Sequence, residues 1–106
     1  NDVFLNMAGG LKVHDTAIDL SIVSSLISSL QNIPVNSKIC FTGEVGLTGE
    51  IRAVNRIEQR IEEAARLGFE EIYISKYNMK GLKNKSSKIN VHGLGKIEDL
   101  IGDVFS

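Results

Sequence analysis

Gly43, Gly46 and Gly49 recur at a spacing of three in the segment Phe41-Thr42-Gly43-Glu44-Val45-Gly46-Leu47-Thr48-Gly49-Glu50. Glycines let backbone N–H groups approach an anion closely, so phosphate binding is one chemistry such a loop can perform. The G-x-x-x-x-G-K-S/T spacing is missing, however, and no lysine lies between Lys38 and Lys76. Turn geometry is therefore the favoured use of these glycines, with a phosphate-ligand domain as the weaker alternative.

A second group is basic. No Asp or Glu occurs between Ile72 and Ile97, where Lys76, Lys80, Lys83, Lys85, Lys88 and Lys96 fall together. Such lysines serve either solubility or contact with a phosphate backbone, which flexible point charges bind without reading sequence. Arg52, Arg56 and Arg60, read as one basic helix face, extend the candidate DNA-binding set Lys76, Lys80, Lys83, Lys85 and Lys88. Glu62, Glu63, Glu70 and Glu71 follow closely and weaken that field unless they face elsewhere. Only Tyr73 and Tyr77 accompany the lysines, so stacking on single-stranded bases is not strongly indicated.

The remaining reactive side chains are sparse. His14, His92 and Cys40 are too few for a zinc site of the usual spacing, so no metal is expected in this domain. Cys40 sits in an apolar run with no sequence-adjacent base and reads as a small core residue. A single cysteine also excludes a disulfide framework and fits the cytoplasm better than a secreted setting. The formal net charge of −1 gives no overall pull toward nucleic acid or membrane. No apolar run approaches the roughly 20 residues that span a bilayer.

These groups need elements to position them. At 106 residues the chain reads as one domain, 1–106. Its start, without methionine and close to an apparent strand, suggests a piece of a longer protein. Val3–Met7 and Leu11–Val13 have strand character, and Asp15 is placed to cap a helix. Leu20, Val23, Ile27 and Leu30 form an apolar stripe, flanked by serines from Ser21 to Ser29, and that helix should end near Gln31–Asn32. A buried strand at Lys38–Phe41 then runs into the glycine hairpin, which returns through Glu50–Val54.

Asn55 and Glu58 have the spacing of a capping box before a helix carrying Ile57, Ile61, Ala64, Ala65 and Leu67, with Gly68 as the stop. Glu71–Ser75 reads as a strand reached by a crossover, Tyr77–Lys88 as loop or one irregular turn, and Ile89–His92 as a last strand. Ile97, Leu100, Ile101 and Val104 give a C-terminal helix. The order of elements implies an α/β or α+β fold, a mixed sheet with helices packed on it.

Phe41 to Val54, running into Asn55-Arg56-Ile57-Glu58-Gln59-Arg60, resembles the signature of Lon-type Ser/Lys peptidases. Asp2 to Gly10, Asp15 to Leu20, Thr42 to Arg52 and Arg60 to Phe69 together resemble more closely the C-terminal Lon-like domains of the RadA (Sms) family of bacterial DNA-repair proteins. The similarity is specific from about Asp2 to Ser75 and loose beyond. Ala53 stands where that family often has proline, and Asn55-Arg56-Ile57 departs from its usual turn.

The resemblance implies a Lon protease-like domain of the ribosomal protein S5 domain 2-like type. It places Ala17 at the position of the peptidase serine and Glu58 at that of the lysine. A Ser/Lys peptidase needs a hydroxyl and an amine of lowered pKa in reach of each other. Neither is present at those positions, and Thr16, on a helix, is expected to point about 100° away from Ala17. No catalytic residue is therefore expected. The alternative is an active peptidase with displaced groups.

The resemblance further implies the C-terminal end of a DNA-dependent ATPase that acts as a homo-hexameric ring and promotes branch migration in homologous recombination. Its implied partners are duplex or branched DNA, other copies of itself and RecA. Its implied cofactors, ATP, magnesium and zinc, belong to parts of such a protein upstream of this chain.

Overall fold

The computed structural model describes residues 15–82 and 88–105. The expected strands at Val3–Met7 and Leu11–Val13, together with His14, Lys83 and Lys85, lie outside that set. A 3-10 turn, Thr16–Ile18, leads into α1 (Asp19–Gln31), followed by β1 (Ile39–Thr42), β2 (Glu44–Val45) and β3 (Ile51–Arg52). Then come α2 (Ile57–Arg66), β4 (Glu71–Ser75), the single turn α3 (Lys76–Met79), β5 (Asn90–Leu94) and α4 (Ile97–Val104).

Strands β1, β4 and β5 form a parallel sheet in the order β1-β4-β5, so β4 is central. The hairpin β2-β3 is a separate antiparallel pair, in register at Glu44–Arg52 and Val45–Ile51. Both kinds of pairing expected of a mixed sheet thus occur, in two sheets. Parallel neighbours require crossovers. The hairpin and α2 make the first, between β1 and β4, and α3 begins the second, between β4 and β5.

Side chains alternate across the central strand, and each face has its own core. On one face Tyr73 packs with Leu20, Ile51, Leu94, Leu100 and Phe105, beneath α1 and α4. On the other, Ile72 and Ile74 pack with Ile61, Ala64 and Ile89, beneath α2. The result is a helix–sheet–helix sandwich in which all of β4 after Glu71 is buried. Fully burying an aliphatic side chain of this size contributes about 1.5–3 kcal/mol. Across the first face, Phe41, Tyr73 and His92 share one register row, with ring centroids 5.7 and 4.5 Å apart.

Helix ends follow the expected chemistry in part. Asn32 closes α1 in the left-handed conformation at φ 57°, and Gly68, at φ +99°, closes α2. The Asn55–Glu58 capping box does not form. The N-cap of α2 is Arg56, itself left-handed at φ 56° and without a side-chain cap bond, because Asn55 is engaged by Arg60.

Leu30 and Leu67 are exposed rather than packed, each lying at the C-terminal end of its helix. Strand β1 is half-buried, not fully buried, since β1 is a sheet edge among the described strands. Within the expected Tyr77–Lys88 loop, α3 supplies one regular turn, capped by the Ser75 hydroxyl accepting from Tyr77 N–H.

Candidate functional site

The start of α1 is fastened to the hairpin by backbone bonds. Gly43 N–H donates to Ala17 O, and Leu20 N–H to Gly43 O, each at 2.9 Å. Asp15 caps the 3-10 turn, its Oδ1 accepting from Ala17 N–H at 3.1 Å, and Asp19 Oδ2 accepts from Val45 N–H at 3.2 Å. Beside this junction lies a cleft of about 260 Å³ bordered by Asp15, Ala17, Glu44, Val54, Asn55 and Arg60.

Ala17 is only 2 % exposed and presents a methyl group there. Thr16 also borders the cleft, although the 3-10 turn sets adjacent side chains about 120° apart, so the expectation that it lies clear of Ala17 does not hold. Glu58, on the first turn of α2, is not among the lining residues. Arg60 is. Its Nε donates to Asn55 O at 2.9 Å, and its Nη2 and Nη1 reach Asn55 Oδ1 at 3.3 Å and Asp15 Oδ2 at 3.4 Å. A guanidinium therefore spans the cleft between the two elements that border it.

The glycine hairpin uses its own N–H groups. Gly46 N–H donates to Glu50 O at 2.8 Å, Gly49 N–H to Gly46 O at 3.1 Å, and Thr48 N–H to Glu50 Oε1 at 3.2 Å. A carboxylate thus occupies the loop, which disfavours a phosphate there. The Thr48 hydroxyl and the Arg52 guanidinium, the latter at 2.7 Å, hold the Glu50 carboxyl down to about 2. The same pairing holds Arg52 above its ordinary value.

Parallel strands end together, so the segments leaving them gather at the carboxyl edge of the sheet. There the hairpin sits on the end of β4, the Ser75 hydroxyl donating to Ile51 O at 3.0 Å. Asn78 of α3 clamps the backbone before α2, accepting from Val54 N–H at 2.9 Å and donating to Val54 O at 3.0 Å. Arg52, Arg56, Lys76 and, one turn on, Lys80 are brought to this edge from three segments, β3, the cap of α2 and α3. Lys76 lies with its ammonium 5.3 Å from the Tyr77 ring centroid.

Arg52, Arg56 and Arg60 do not form one helix face: Arg52 is on β3, Arg56 is the cap and only Arg60 is helical. Arg56 and Arg60 nevertheless border one shallow depression with Thr42, Gln59 and Glu63. Lys88 precedes β5 and lies at the opposite, amino edge. The Asn78 and Arg60 clamps were invisible to periodicity, since Asn78 holds backbone groups 24 positions away and Arg60 reaches a carboxylate 45 positions away. An asparagine two residues into a turn after a strand was the only local signal.

Of the other singled-out groups, His92 Nε2 lies 2.8 Å from Glu71 Oε1 at the sheet surface. Burial pushes the Cys40 thiol up to about 11. Among the described residues no cluster of three or more His, Cys, Asp or Glu could hold a metal ion.

Residues 7–105 match the family described as the Lon protease (S16) C-terminal proteolytic domain. The chain is 47 % identical over 105 residues to the DNA repair protein RadA of Streptococcus pneumoniae, covering 99 % of this chain and 25 % of that protein. It is 47 % identical over 100 residues to the DNA repair protein RadA of Bacillus subtilis, covering 94 % and 22 %. With that of Listeria monocytogenes it shares 53 % over 77 residues, covering 73 % and 17 %. The chain spans about a quarter of the length of such relatives, resembling their C-terminal region. With the parallel sheet, the hairpin and the flanking helices in place, this match covers nearly every residue described, and the chain belongs to the Lon protease (S16) C-terminal proteolytic domain family.

Proposed function

We propose that this chain is a noncatalytic Lon-like domain of a cytoplasmic DNA-repair protein, serving as a contact platform for DNA and a scaffold for subunit assembly. The observation that carries the DNA part is the convergence of Arg56, Lys76 and Lys80 on the carboxyl edge of the sheet, beside the Asn78–Val54 clamp, with Arg52 next to them but held by Glu50. Flexible cations at such an edge bind a phosphate backbone by displacing counterions. The relatives' name as DNA repair proteins supports the same partner.

In this reading the parent is a homo-hexameric, DNA-dependent ATPase that promotes branch migration with RecA. Nucleotide, magnesium and zinc belong to its other domains. Ala17 and Glu58, at the serine and lysine positions of the peptidase signature, support a scaffold that has lost hydrolysis.

Fluorescence anisotropy with labelled duplex DNA at low and moderate salt tests the DNA part. Binding that weakens steeply with salt is expected, and changing Arg56, Lys76 and Lys80 to glutamate should weaken it further and flatten its salt dependence. An unchanged titration in that variant would remove the DNA contact.

The presence of Thr16 at the Ala17 cleft favours, as a second reading, a peptidase with displaced groups. Incubation with unfolded casein decides it, and cleavage lost on changing Thr16 to alanine would support it.

A further inference from the structure

The two tyrosines that accompany the lysines in sequence are separated by the fold. Tyr73, on β4, is 7 % exposed and packed in the first core, whereas Tyr77, on α3, is 62 % exposed at the carboxyl edge of the sheet. The Lys76 ammonium lies over one face of the Tyr77 ring, 5.3 Å from its centroid. Among the described residues no other ring stacks on Tyr77, which leaves its second face for a flat partner.

The ring stands on fixed backbone. Tyr77 N–H donates to the Ser75 hydroxyl, which is buried and donates in turn to Ile51 O. The next residue, Asn78, is bound twice to Val54. The lysine is seated as well: a side chain at Gly95 would begin 3.1 Å from Lys76 Cε, so glycine there leaves the stem its place. Lys80 follows Tyr77 by three positions, the spacing of neighbours along one side of a helical turn. Arg56 lies across the clamp, two residues beyond Val54.

We propose that Tyr77 is a base-stacking residue, which makes the carboxyl edge a site for unpaired rather than duplex DNA. This rests on the DNA-contact reading and names the form of DNA that the site selects. The ring and its surroundings set the occupant together. A lone ring face takes a flat partner, and the cations around it, in a stretch without Asp or Glu from Ile72 to Ile97, favour one that carries negative charge. A nucleotide supplies both, its base for Tyr77 and its phosphates for Lys80 and Arg56. An acidic peptide would leave the ring unused, and an apolar one would leave the cations unpaired. In a duplex the base faces are already stacked on one another, and freeing one means breaking a pair. A single strand offers its faces without that cost.

Fluorescence anisotropy of the 106-residue chain with a labelled oligo-dT strand and with a labelled duplex of equal length, at one low salt concentration, tests the stacking. Wild type should favour the single strand. Tyr77→Ala should weaken single-strand binding about five- to hundredfold and change duplex binding by less than about twofold. Tyr77→Phe, which keeps the ring, should behave as wild type. Circular dichroism should be unchanged in both variants, since the side chain is exposed. The chain has two tyrosines and no tryptophan, so tyrosine emission gives a second readout. The single strand should quench it in wild type and not in Tyr77→Ala. A Tyr77→Ala variant that weakens on both DNAs alike, or on neither, would overturn the stacking role and leave the phosphate-contact platform standing. So would a wild type that favours the duplex. A wild type that binds neither DNA would instead remove the DNA-contact reading, and the stacking with it.

Discussion

Arg60, on α2, donates to Asp15 at the mouth of α1 across 45 residues of chain, at 3.4 Å, while its Nε holds the Asn55 carbonyl at 2.9 Å. The contact bridges two elements beside Ala17, along the cleft that all three residues border.

Removing that bridge should have a measurable but limited effect. Arg60→Ala is expected to lower the free energy of unfolding by about 1 kcal/mol, because both partners are partly solvated. Urea denaturation followed by circular dichroism measures it. A loss above about 3 kcal/mol would mean the bridge holds far more than its own contacts.

Core and surface aliphatic positions should separate cleanly. Ile51 is fully buried where the hairpin meets the first core, so Ile51→Ala is expected to cost about 2–5 kcal/mol. Leu30, 85 % exposed, should tolerate alanine within about 0.5 kcal/mol. The same denaturation series compares them.

The hairpin carries an acid-sensitive contact. Glu50, ordinarily near 4.5, is held down to about 2 by the Thr48 hydroxyl and Arg52. A carboxyl whose folded value is depressed contributes stability above its unfolded value, and that contribution disappears as pH falls from about 4.5 toward 2. Carbon-detected NMR titration should find the Glu50 midpoint near the lower figure, and Arg52→Ala should raise it only part of the way, since the Thr48 hydrogen bond remains.

Cys40 should be slow to react. With its thiol pushed up to about 11 by burial, little thiolate exists near pH ~8, where an ordinary cysteine is substantially ionised. Alkylation by iodoacetamide is expected to be much slower in the folded chain than in urea. Equal rates in the two states would contradict the burial of this strand.

The parts of the fold that sequence revealed are those written in local patterns. The period of Ile57, Ile61, Ala64 and Ala65 identified α2, Gly68 its end, and Gly43 to Gly49 the hairpin, since each depends on neighbours within a turn or two. Leu30 and Leu67 obeyed the same period and still face solvent, because periodicity says which residues share a face and not what covers it. Asn55 and Glu58 had capping spacing, yet a distant contact from Arg60 to Asp15 and Asn55 set that end of the helix differently. The basic set divided for a similar reason. Lys76 and Lys88 are close in sequence, but β4 ends where Lys76 begins and β5 starts just after Lys88, so parallel strands carry them to opposite edges.

The hairpin and the C-terminal helix are tied in both directions. Ile51 N–H donates to Gly95 O and Ile97 N–H to Gly49 O, each at 2.9 Å, around the bridge between Glu50 and Lys96. Neither amide can open to solvent without loosening the other segment's anchor. Deuterium should therefore enter both at a common rate, making the glycine hairpin and the last helix one cooperative unit of unfolding despite their separation along the chain.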